Sequence, residues 1–186
     1  MTIDPIRPVR TTPPAPPTDS APGTPRERIA AYRLLLTLAA AVLVLDQLTK
    51  LWIAALLPYG TFGEPGAIAV IPGFFYLVHV GNTGAAWSMF AGQSVLLAAL
   101  KAATLVAIFI WRRALGLRQR FTQVCFGLLC GGILGNLIDR LWHGYVVDFL
   151  DFHFGSYIYP SFNVADSGIC IGVLLYLWHS LREPKP

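Results

Sequence analysis

The sequence predicts an all-α integral membrane protein with four transmembrane helices and a small extracytoplasmic β element between the first and second spans. Three observations lead to this fold class. Of the 186 residues, 55% are hydrophobic and only 13% are charged, whereas soluble domains usually carry about 25% charged residues. Four apolar runs are long enough to cross a bilayer, which takes about 20 helical residues. Basic residues gather at one set of run ends, as the positive-inside rule requires.

The chain divides into three parts. Residues 1–29 hold eight of the fourteen prolines, interspersed with Thr, Ser and Arg, and such a segment cannot bury a core. We therefore predict a disordered, Pro-rich cytoplasmic tail. The segment is too polar and too long to begin a cleaved signal peptide, so the apolar run behind it is predicted to be retained. Residues 30–182 form the predicted membrane domain, and residues 183–186 form a cytoplasmic C-terminal tail.

The four apolar runs cover residues 32–55, 92–112, 121–141 and 163–181. A segment in lipid must satisfy its backbone amides and carbonyls internally, so each run is predicted to be a helix. No internal repeat relates the runs, which weakens an interpretation as an inverted-repeat transporter. Glycines in the third run permit close helix packing: Gly131, Gly132 and Gly135.

Basic residues predict the orientation of the chain. Eleven of the fourteen Lys and Arg residues lie before the first run, between the second and third, or after the fourth: Arg7, Arg10, Arg26, Arg28, Arg33, Arg112, Arg113, Arg118, Arg120, Arg182 and Lys185. Both termini are therefore predicted to be cytoplasmic. The connections 56–91 and 142–162 then face outward.

The connection 56–91 is more than a tether. Seven Gly and Pro residues punctuate residues 58–73, and they alternate with β-rich runs at 67–71 and 74–80. Turn residues between short runs of this kind predict strands. We expect a small sheet that lies on the membrane surface.

Polar groups at membrane depth are costly, so an intramembrane acid indicates a functional site. Asp46 and Lys50 lie four residues apart on one face of the first run. Asn136, Asp139 and Arg140 lie at the outer end of the third run. Because these groups reach one depth from different spans, they could line a single outward-opening pocket. Six of the ten acidic residues are predicted to lie in the outer half or just beyond it: Asp46, Glu64, Asp139, Asp148, Asp151 and Asp166.

Asp148 and Asp166 are the best-placed pair of acids. Asp148 follows the third run in an apolar stretch, and Asp166 lies in the first turn of the fourth. Two carboxyl groups held close together share one proton, because both cannot ionise cheaply. The ionised group can take a proton from water while the other polarises a carbonyl, which is aspartic-protease chemistry. Two simpler interpretations stay open: a solvated loop acid for Asp148, and a first-turn residue favoured by the helix dipole for Asp166.

Other charged residues favour structural roles. Asp46 and Lys50 suit an i,i+4 ion pair, and Asp139 beside Arg140 suits a scaffold ion pair. Lys101 lies near the middle of the second run and has no assigned partner. It either snorkels or faces the polar pocket.

No cofactor or metal is predicted. The three cysteines lie in apolar runs without zinc-site spacing, and the four histidines show no metal-ligand spacing. Neither Ser88 nor Ser167 lies in a Gly-x-Ser-x-Gly elbow, which disfavours a serine enzyme. Two rival classes stay open, a proton-coupled transporter or channel and a non-catalytic assembly factor. A transporter would need acids along a path across the bilayer, whereas these acids cluster at the outer end.

The chain resembles the bacterial lipoprotein signal peptidase (signal peptidase II) family in five segments that occur in order: Asp46-Gln-Leu-Thr-Lys50, Asn82-Thr-Gly-Ala-Ala-Trp-Ser-Met-Phe90, Gly131-Gly-Ile-Leu-Gly-Asn-Leu-Ile-Asp-Arg140, Val146-Val-Asp-Phe149 and Phe162-Asn-Val-Ala-Asp-Ser167. The resemblance covers about residues 30–182, and the Pro-rich tail lies outside it. Any one segment would be a weak signal, whereas five in order are highly specific.

This resemblance implies an aspartic endopeptidase of the bacterial inner membrane. Such enzymes remove the signal peptide from diacylglyceryl-modified prolipoproteins, cutting before the lipidated cysteine at the outer face. By motif match, the catalytic aspartates fall on Asp148 and Asp166. The substrate-binding and supporting residues fall on Asp46, Lys50, Asn82, Gly132, Asn136, Asp139, Arg140, Asn163 and Ala165. The expected partners are prolipoproteins, membrane lipid and the inhibitor globomycin; no nucleic acid is expected, and the chain is expected to be monomeric.

Overall fold

The computed structural model describes residues 24–63, 65–85, 87 and 89–182. Most of the predicted N-terminal tail and the whole predicted C-terminal tail lie outside the described residues. Within the described ranges the chain forms five helices and four strands: α1 (Pro25–Ala30), α2 (Arg33–Leu56), β1 (Ile68–Ile71), β2 (Phe75–Asn82), α3 (Ser94–Ile110), α4 (Arg120–His143), β3 (Val146–Phe154), β4 (Tyr157–Ile158) and α5 (Val164–Arg182).

Helix α1 occupies the last part of the segment predicted to be a disordered tail. The Thr24 hydroxyl accepts a hydrogen bond from the Glu27 amide at 3.3 Å, and the Glu27 carboxylate accepts one from the Thr24 amide at 2.8 Å. With Pro25 at the first helical position, these bonds form a capping box. The predicted tail is therefore too long at this end, because a proline in the first turn of a helix is favourable rather than disruptive.

Four helices coincide with the predicted apolar runs to within a few residues. Helices α2, α4 and α5 are long and apolar enough to cross a membrane. Helix α3 is also apolar but has only 17 residues. The helices expose large apolar side chains such as Leu51, Phe109 and Leu174, which indicates contact with lipid rather than water.

Helix α4 lies at the centre of the helical layer. It buries residues along its whole length and packs against both α2 and α5. A Cβ atom added to Gly131 would lie 2.8 Å from the Cβ atom of Val42, and one added to Gly132 would overlap the Ala165 carbonyl oxygen. Glycine therefore lets the backbones of neighbouring helices approach closely, as the sequence predicts.

The sheet is antiparallel with the strand order β1-β2-β3-β4. Strands β1 and β2 match the two runs predicted in the 56–91 connection. Strands β3 and β4 come from the 142–162 connection, for which the sequence pattern predicts no strand. The prediction of a β element confined to the first connection is therefore incomplete. The nine residues of β3 are mostly β-branched and aromatic, and they become a strand by pairing with β2.

Two contacts hold the sheet against the helices. The His79 ring donates from Nδ1 to the Leu57 carbonyl oxygen at 2.8 Å, which ties β2 to the end of α2. Phe162 pairs with Leu150 of β3 through backbone hydrogen bonds of 2.9 and 3.1 Å. Because Asn163 follows Phe162 directly, this bridge also fixes the start of α5 against β3.

We expect Gly132→Ala to lower the melting temperature of the purified protein in detergent. The added methyl group would overlap the Ala165 carbonyl oxygen, a backbone atom that has no free rotation. Overpacking of this kind costs about 1–3 kcal/mol. Ala41→Val adds volume at an exposed position of α2 and should leave the melting temperature almost unchanged. Equal melting temperatures for Gly132→Ala and wild type would contradict the close α4–α5 contact.

Candidate active site

Asp148 lies in β3, and its carboxyl group lines a cavity between the sheet and the helices. The residue is only 2% exposed. Its Oδ2 accepts a hydrogen bond from the Asn82 side chain at 3.0 Å, and its Oδ1 accepts one from the Asn163 side chain at 2.7 Å. Val80 is the direct pairing partner of Asp148, so Asn82 reaches the carboxyl group diagonally across one face of the sheet.

Asp166 lies in the first turn of α5 and lines the same cavity. Its backbone amide donates to the Asn163 side-chain oxygen at 2.9 Å, so Asn163 caps the helix. Its carboxylate accepts a hydrogen bond from the Asn136 side chain of α4 at 2.7 Å. The carboxylate thus lies at a helix N-terminus, where the helix dipole stabilises a negative charge.

Asn136 and Asn163 connect the two acids. The Asn163 side-chain nitrogen donates to Asp148 and lies 3.3 Å from the Asn136 side-chain oxygen. The Asn163 side-chain oxygen accepts from the Asp166 amide, and Asn136 donates to the Asp166 carboxylate. Both asparagines are fully buried. Two carboxyl groups from different elements therefore face one cavity at positions that the two asparagine side chains determine.

Burial raises the pKa of Asp148 to about 7, and the nearby charge of Asp166 adds to the rise. Hydrogen bonds from Asn82 and Asn163 and the charge of Lys50 act in the opposite direction without cancelling it. Asp148 therefore keeps its proton at pH values where an ordinary aspartic acid has lost it. A protonated carboxyl group beside a second acid is the arrangement that acid–base catalysis by a pair requires.

Lys50 joins α2 to α4 beside this pair. Its Nζ lies 2.8 Å from a carboxylate oxygen of Asp46 and 2.8 Å from one of Asp139, and it donates to the Asn136 side-chain oxygen at 3.1 Å. The predicted Asp46–Lys50 ion pair is present. The ion-pair partner of Asp139 is Lys50, which corrects the expected pairing of Asp139 with Arg140, because adjacent side chains on a helix point apart.

The two acids that bind Lys50 also hold backbone groups. Asp46 accepts a hydrogen bond from the Ala165 amide at 2.9 Å, and Asp139 accepts one from the Val147 amide at 3.1 Å. The first amide opens α5 and the second belongs to β3. The charged cluster on α2 and α4 therefore fixes the two segments that carry the paired acids.

Arg140 extends from α4 to the loop that follows β2. Its Nη2 donates to the Gly84 carbonyl oxygen at 2.6 Å, and its Nη1 lies 3.4 Å from the Asn136 carbonyl oxygen. Its Nε is buried and has no hydrogen-bond partner among the described residues. Leaving a buried charged donor unpaired is unfavourable, and no described residue offsets this cost.

The eleven candidate residues from the sequence all meet in this cluster, with Gly132 and Ala165 forming its contact between α4 and α5. Two further residues take part. Gln47 donates to Asp139 at 2.9 Å, and its place in the Asp46–Lys50 segment was a signal that could have found it. Gly84 contributes only its carbonyl oxygen to Arg140, so no side-chain pattern marks it.

The cavity has a volume of about 1440 Å³. Lys101 of α3 also lines it. The described part of the chain holds no group of three His, Cys, Asp or Glu side chains that could bind a metal ion. A largely apolar cavity with a few convergent polar groups suits an amphipathic ligand. Its apolar lining includes Val80, Leu97, Leu100, Phe152 and Ile169.

Comparison with known proteins identifies the family of this chain. A family model described as signal peptidase (SPase) II matches residues 38–182, which contain the whole cluster. The lipoprotein signal peptidase of Azoarcus sp. (strain BH72) is 45% identical over 153 residues, covering 81% of this chain and 84% of the relative. The lipoprotein signal peptidase of Nitratidesulfovibrio vulgaris (strain DP4) is 39% identical over 160 residues, covering 83% and 93%.

The fold also has a counterpart among solved structures. A bacterial membrane enzyme determined by the in meso method at 2.3 Å resolution matches with a TM-score of 0.71 and 33% sequence identity. The match covers 82% of this chain and 93% of that chain. The arrangement of apolar helices and a small antiparallel sheet therefore occurs in a known membrane enzyme.

We expect Lys50→Met to destabilise the protein by about 3–5 kcal/mol, because Asp46 and Asp139 would stay buried without their shared cation. Adding Asp139→Asn to this variant should restore part of the loss, because it removes one uncompensated charge. Melting temperatures in detergent measure both effects. Arg113→Met removes an exposed cation and serves as the control. If Lys50→Met melted like wild type, the cluster would not hold the helices together.

The raised pKa of Asp148 predicts a pH-dependent stability. The pKa of Asp148 is about 7 in the folded state and lies above the usual value of 3.8. The folded protein therefore binds this proton more tightly than the unfolded chain does. The resulting stabilisation is complete below about pH 4 and is lost as the pH rises towards about 7. At about 1.4 kcal/mol per pKa unit, the loss amounts to a few kcal/mol.

This pH dependence is measured against a variant that has no proton to lose at this position. Between about pH 5 and about pH 8, the melting temperature of wild type should fall relative to that of Asp148→Asn. The comparison cancels the titration of the shared groups that do not interact with Asp148. A difference that stays constant over this range would contradict the raised pKa.

Proposed function

Since the chain belongs to the signal peptidase II family, we propose that Asp148 and Asp166 act as its catalytic aspartic dyad at the outer face of the inner membrane. The protein is a membrane peptidase that removes signal peptides from prolipoproteins. The observation that carries the dyad assignment is the convergence of two carboxyl groups on a single largely apolar cavity, one of them buried with its pKa raised to about 7. No other assignment uses both the asparagine bridge and the cavity.

The protein is a multi-pass membrane protein, and four spans are our assignment. Besides α2, α4 and α5, we assign helix α3 as a span. Its 17 residues extend over about 26 Å at 1.5 Å per residue, which is close to the thickness of the hydrocarbon core of a bilayer. Arg112, Arg113 and Arg118 between α3 and α4 support a cytoplasmic location for that connection. The sheet and the dyad then lie at the outer face of the bacterial inner membrane, and both termini are cytoplasmic.

The substrate that suits this site is a diacylglyceryl-modified prolipoprotein held in the bilayer by its signal peptide and its acyl chains. The bilayer already holds the apolar parts of the substrate beside the enzyme, so the enzyme does not have to supply binding energy to remove them from water. The cavity lies beside the helices and its lining is mostly apolar, so acyl chains can reach it without crossing water. Cleavage before the lipidated cysteine places the scissile bond at the dyad.

The resting dyad holds one proton, on Asp148. Ionised Asp166 takes a proton from a water molecule as the water oxygen bonds to the scissile carbonyl carbon, while protonated Asp148 donates a hydrogen bond to the carbonyl oxygen. The tetrahedral intermediate then collapses, the C–N bond breaks, and the proton held by Asp166 passes to the leaving nitrogen. The products are the signal peptide with a free carboxylate and a lipoprotein with a free amino group on its cysteine.

The surrounding residues position the substrate and the acids. The guanidinium group of Arg140, a residue that lines the cavity, is a donor for a peptide carbonyl oxygen near the scissile bond. Asn82 and Asn163 orient Asp148, and Asn136 orients Asp166. The remaining candidate residues support these contacts through the charged cluster and the α4–α5 packing: Asp46, Lys50, Gly132, Asp139 and Ala165.

A proton relay across the membrane would need a different distribution of acids. Asp46 lies in the C-terminal half of α2, Asp139 near the end of α4, and Asp166 in the first turn of α5. Since consecutive spans run in opposite directions, all three lie at one depth, and their side chains form one network. This clustering supports hydrolysis at one surface rather than transport. We also expect the enzyme to work as a monomer without a cofactor and to be inhibited by globomycin.

We expect Asp148→Asn and Asp166→Asn each to lower cleavage of a diacylglyceryl-modified prolipoprotein by about a thousandfold or more, because each removes an acid–base group. Turnover by purified protein in detergent, with a chelator present, measures this. Asp151→Asn is the matched control, since Asp151 is a buried acid of the same strand whose partners are His153 and Ser161.

Asp139→Asn distinguishes a supporting residue from a catalytic one, because Asp139 binds Lys50 and a backbone amide. It should lower the melting temperature and leave residual cleavage. Cleavage that survives at Asp148→Asn but disappears in a well-folded Asp139→Asn would move the dyad to Asp139 and Asp166. A folded wild-type protein that cleaves no prolipoprotein would contradict the proposed function.

A further inference from the structure

Lys101 is a cation of the cavity wall that the proposed mechanism does not use. It lies seven residues after Ser94, the first residue of α3, or about 10 Å along the helix axis at 1.5 Å per residue. The residue is partly buried and lines the cavity together with both acids of the proposed dyad. Since a charged side chain at membrane depth is costly, a cation here calls for a functional explanation.

Lys101 differs sharply from Lys50, the other lysine of the helical layer. Lys50 uses three acceptors within the protein. Among the described residues, no hydrogen bond and no ion pair within 4.0 Å involves the Lys101 side chain. The charges that act on it are those of Arg140, Asp166, Lys50 and Asp148. Its ammonium group therefore lies near the polar cluster and still lacks an acceptor from the protein.

A second donor in the same cavity is also unpaired. The Nε of Arg140 is buried without a partner among the residues described, and Arg140 lines the cavity as Lys101 does. Arg140 belongs to the cluster that holds the dyad, whereas the neighbours of Lys101 on the cavity wall are Leu97, Leu100 and Thr104. Two cationic residues line the cavity, one in the polar cluster and one on the apolar wall, and they indicate a ligand with two separated acceptors.

The chemistry of the proposed substrate identifies the second acceptor. A signal peptide in lipid is helical, so its backbone carbonyl groups already accept hydrogen bonds within the helix. The segment at the scissile bond must be accessible to the dyad, and the proposed mechanism places its carbonyl oxygens near Arg140. The two ester carbonyl oxygens of the diacylglyceryl group have no donor of their own. They are attached next to the scissile bond and extend with the acyl chains towards the apolar wall.

We propose that the Lys101 ammonium donates a hydrogen bond to an ester carbonyl oxygen of the diacylglyceryl group and so selects the lipid-modified substrate. This inference rests on the proposed function and names a specificity residue within it. Lys101 is a substrate-binding residue in this assignment and takes no part in proton transfer. Its removal therefore raises KM and leaves kcat nearly unchanged.

The test compares wild type, Lys101→Met and Lys101→Arg on two substrates. One is a prolipoprotein peptide with an ester-linked diacylglyceryl group, and the other is the same peptide with an ether-linked dialkylglyceryl group, which lacks both carbonyl oxygens. On the ester substrate, Lys101→Met should raise KM about tenfold, as expected for loss of a charge-assisted hydrogen bond, and Lys101→Arg should restore most of it. On the ether substrate, wild type and Lys101→Met should have the same raised KM.

Other results would overturn the proposal. An unchanged KM for Lys101→Met on the ester substrate would show that no acceptor is bound. An equal rise on both substrates would move the acceptor to the peptide. A lower melting temperature together with a lower kcat would make Lys101 structural, whereas the proposal expects Lys101→Met to melt at or above wild type, because it replaces a cation by an apolar side chain in a membrane helix.

Two controls complete the test. Arg113→Met removes a cation just beyond the other end of α3 and should leave KM unchanged on both substrates. Wild-type cleavage of the ester substrate separates the two claims. If wild type cleaves this substrate and the Lys101 variants have the same KM as wild type, only the assignment of Lys101 fails. If a folded wild type does not cleave, the proposed function fails.

Discussion

The three acceptors around the Lys50 ammonium are the constraint on which the rest of the structure depends. Lys50 is only 4% exposed, so the partners of its ammonium group must come from the protein. Asp46, Asp139 and Asn136 supply them at 2.8, 2.8 and 3.1 Å. This requirement draws α2 against α4 at one depth. Because Asp46 and Asp139 also bind backbone amides of α5 and β3, the same charges set where the remaining elements begin.

The proposed dyad is positioned by this cluster and by the two asparagines. Asn136 accepts from Lys50 and donates to Asp166, while Asn163 donates to Asp148 and caps the turn of Asp166. Each amide uses both its donor and its acceptor end, which leaves one orientation for each side chain. The sheet contributes the other wall, because pairing of β2 with β3 brings Asn82 and Asp148 to one face. Helices and sheet together therefore hold two acids that neither could hold alone.

Three features of this site suit its proposed function and are unfavourable for the stability of the protein. Burial raises the pKa of Asp148, so its ionised form is disfavoured inside the protein. The Nε of Arg140 has no partner among the described residues, and Lys101 carries a charge on an apolar wall. Each of these features is unfavourable in the empty protein. All three lie in one cavity, which is what is expected when the missing partners belong to the substrate.

The sequence by itself determined the helices, the turn-rich connection and the identity of the clustered residues. Hydrophobic runs and five ordered segments are local signals, and a helix in lipid follows from its own backbone, so residues 32–55 become α2 with little dependence on the rest of the chain. Tertiary structure decided the addition of β3 to the sheet, the pairing of Asp139 with Lys50 instead of Arg140, the diagonal contact of Asn82 with Asp148, and the exposure of Lys101 to the cavity. Each of these joins residues far apart in the chain. Strand pairing, ion-pair choice and the direction of a helix face depend on which elements lie opposite each other, and no local pattern encodes that.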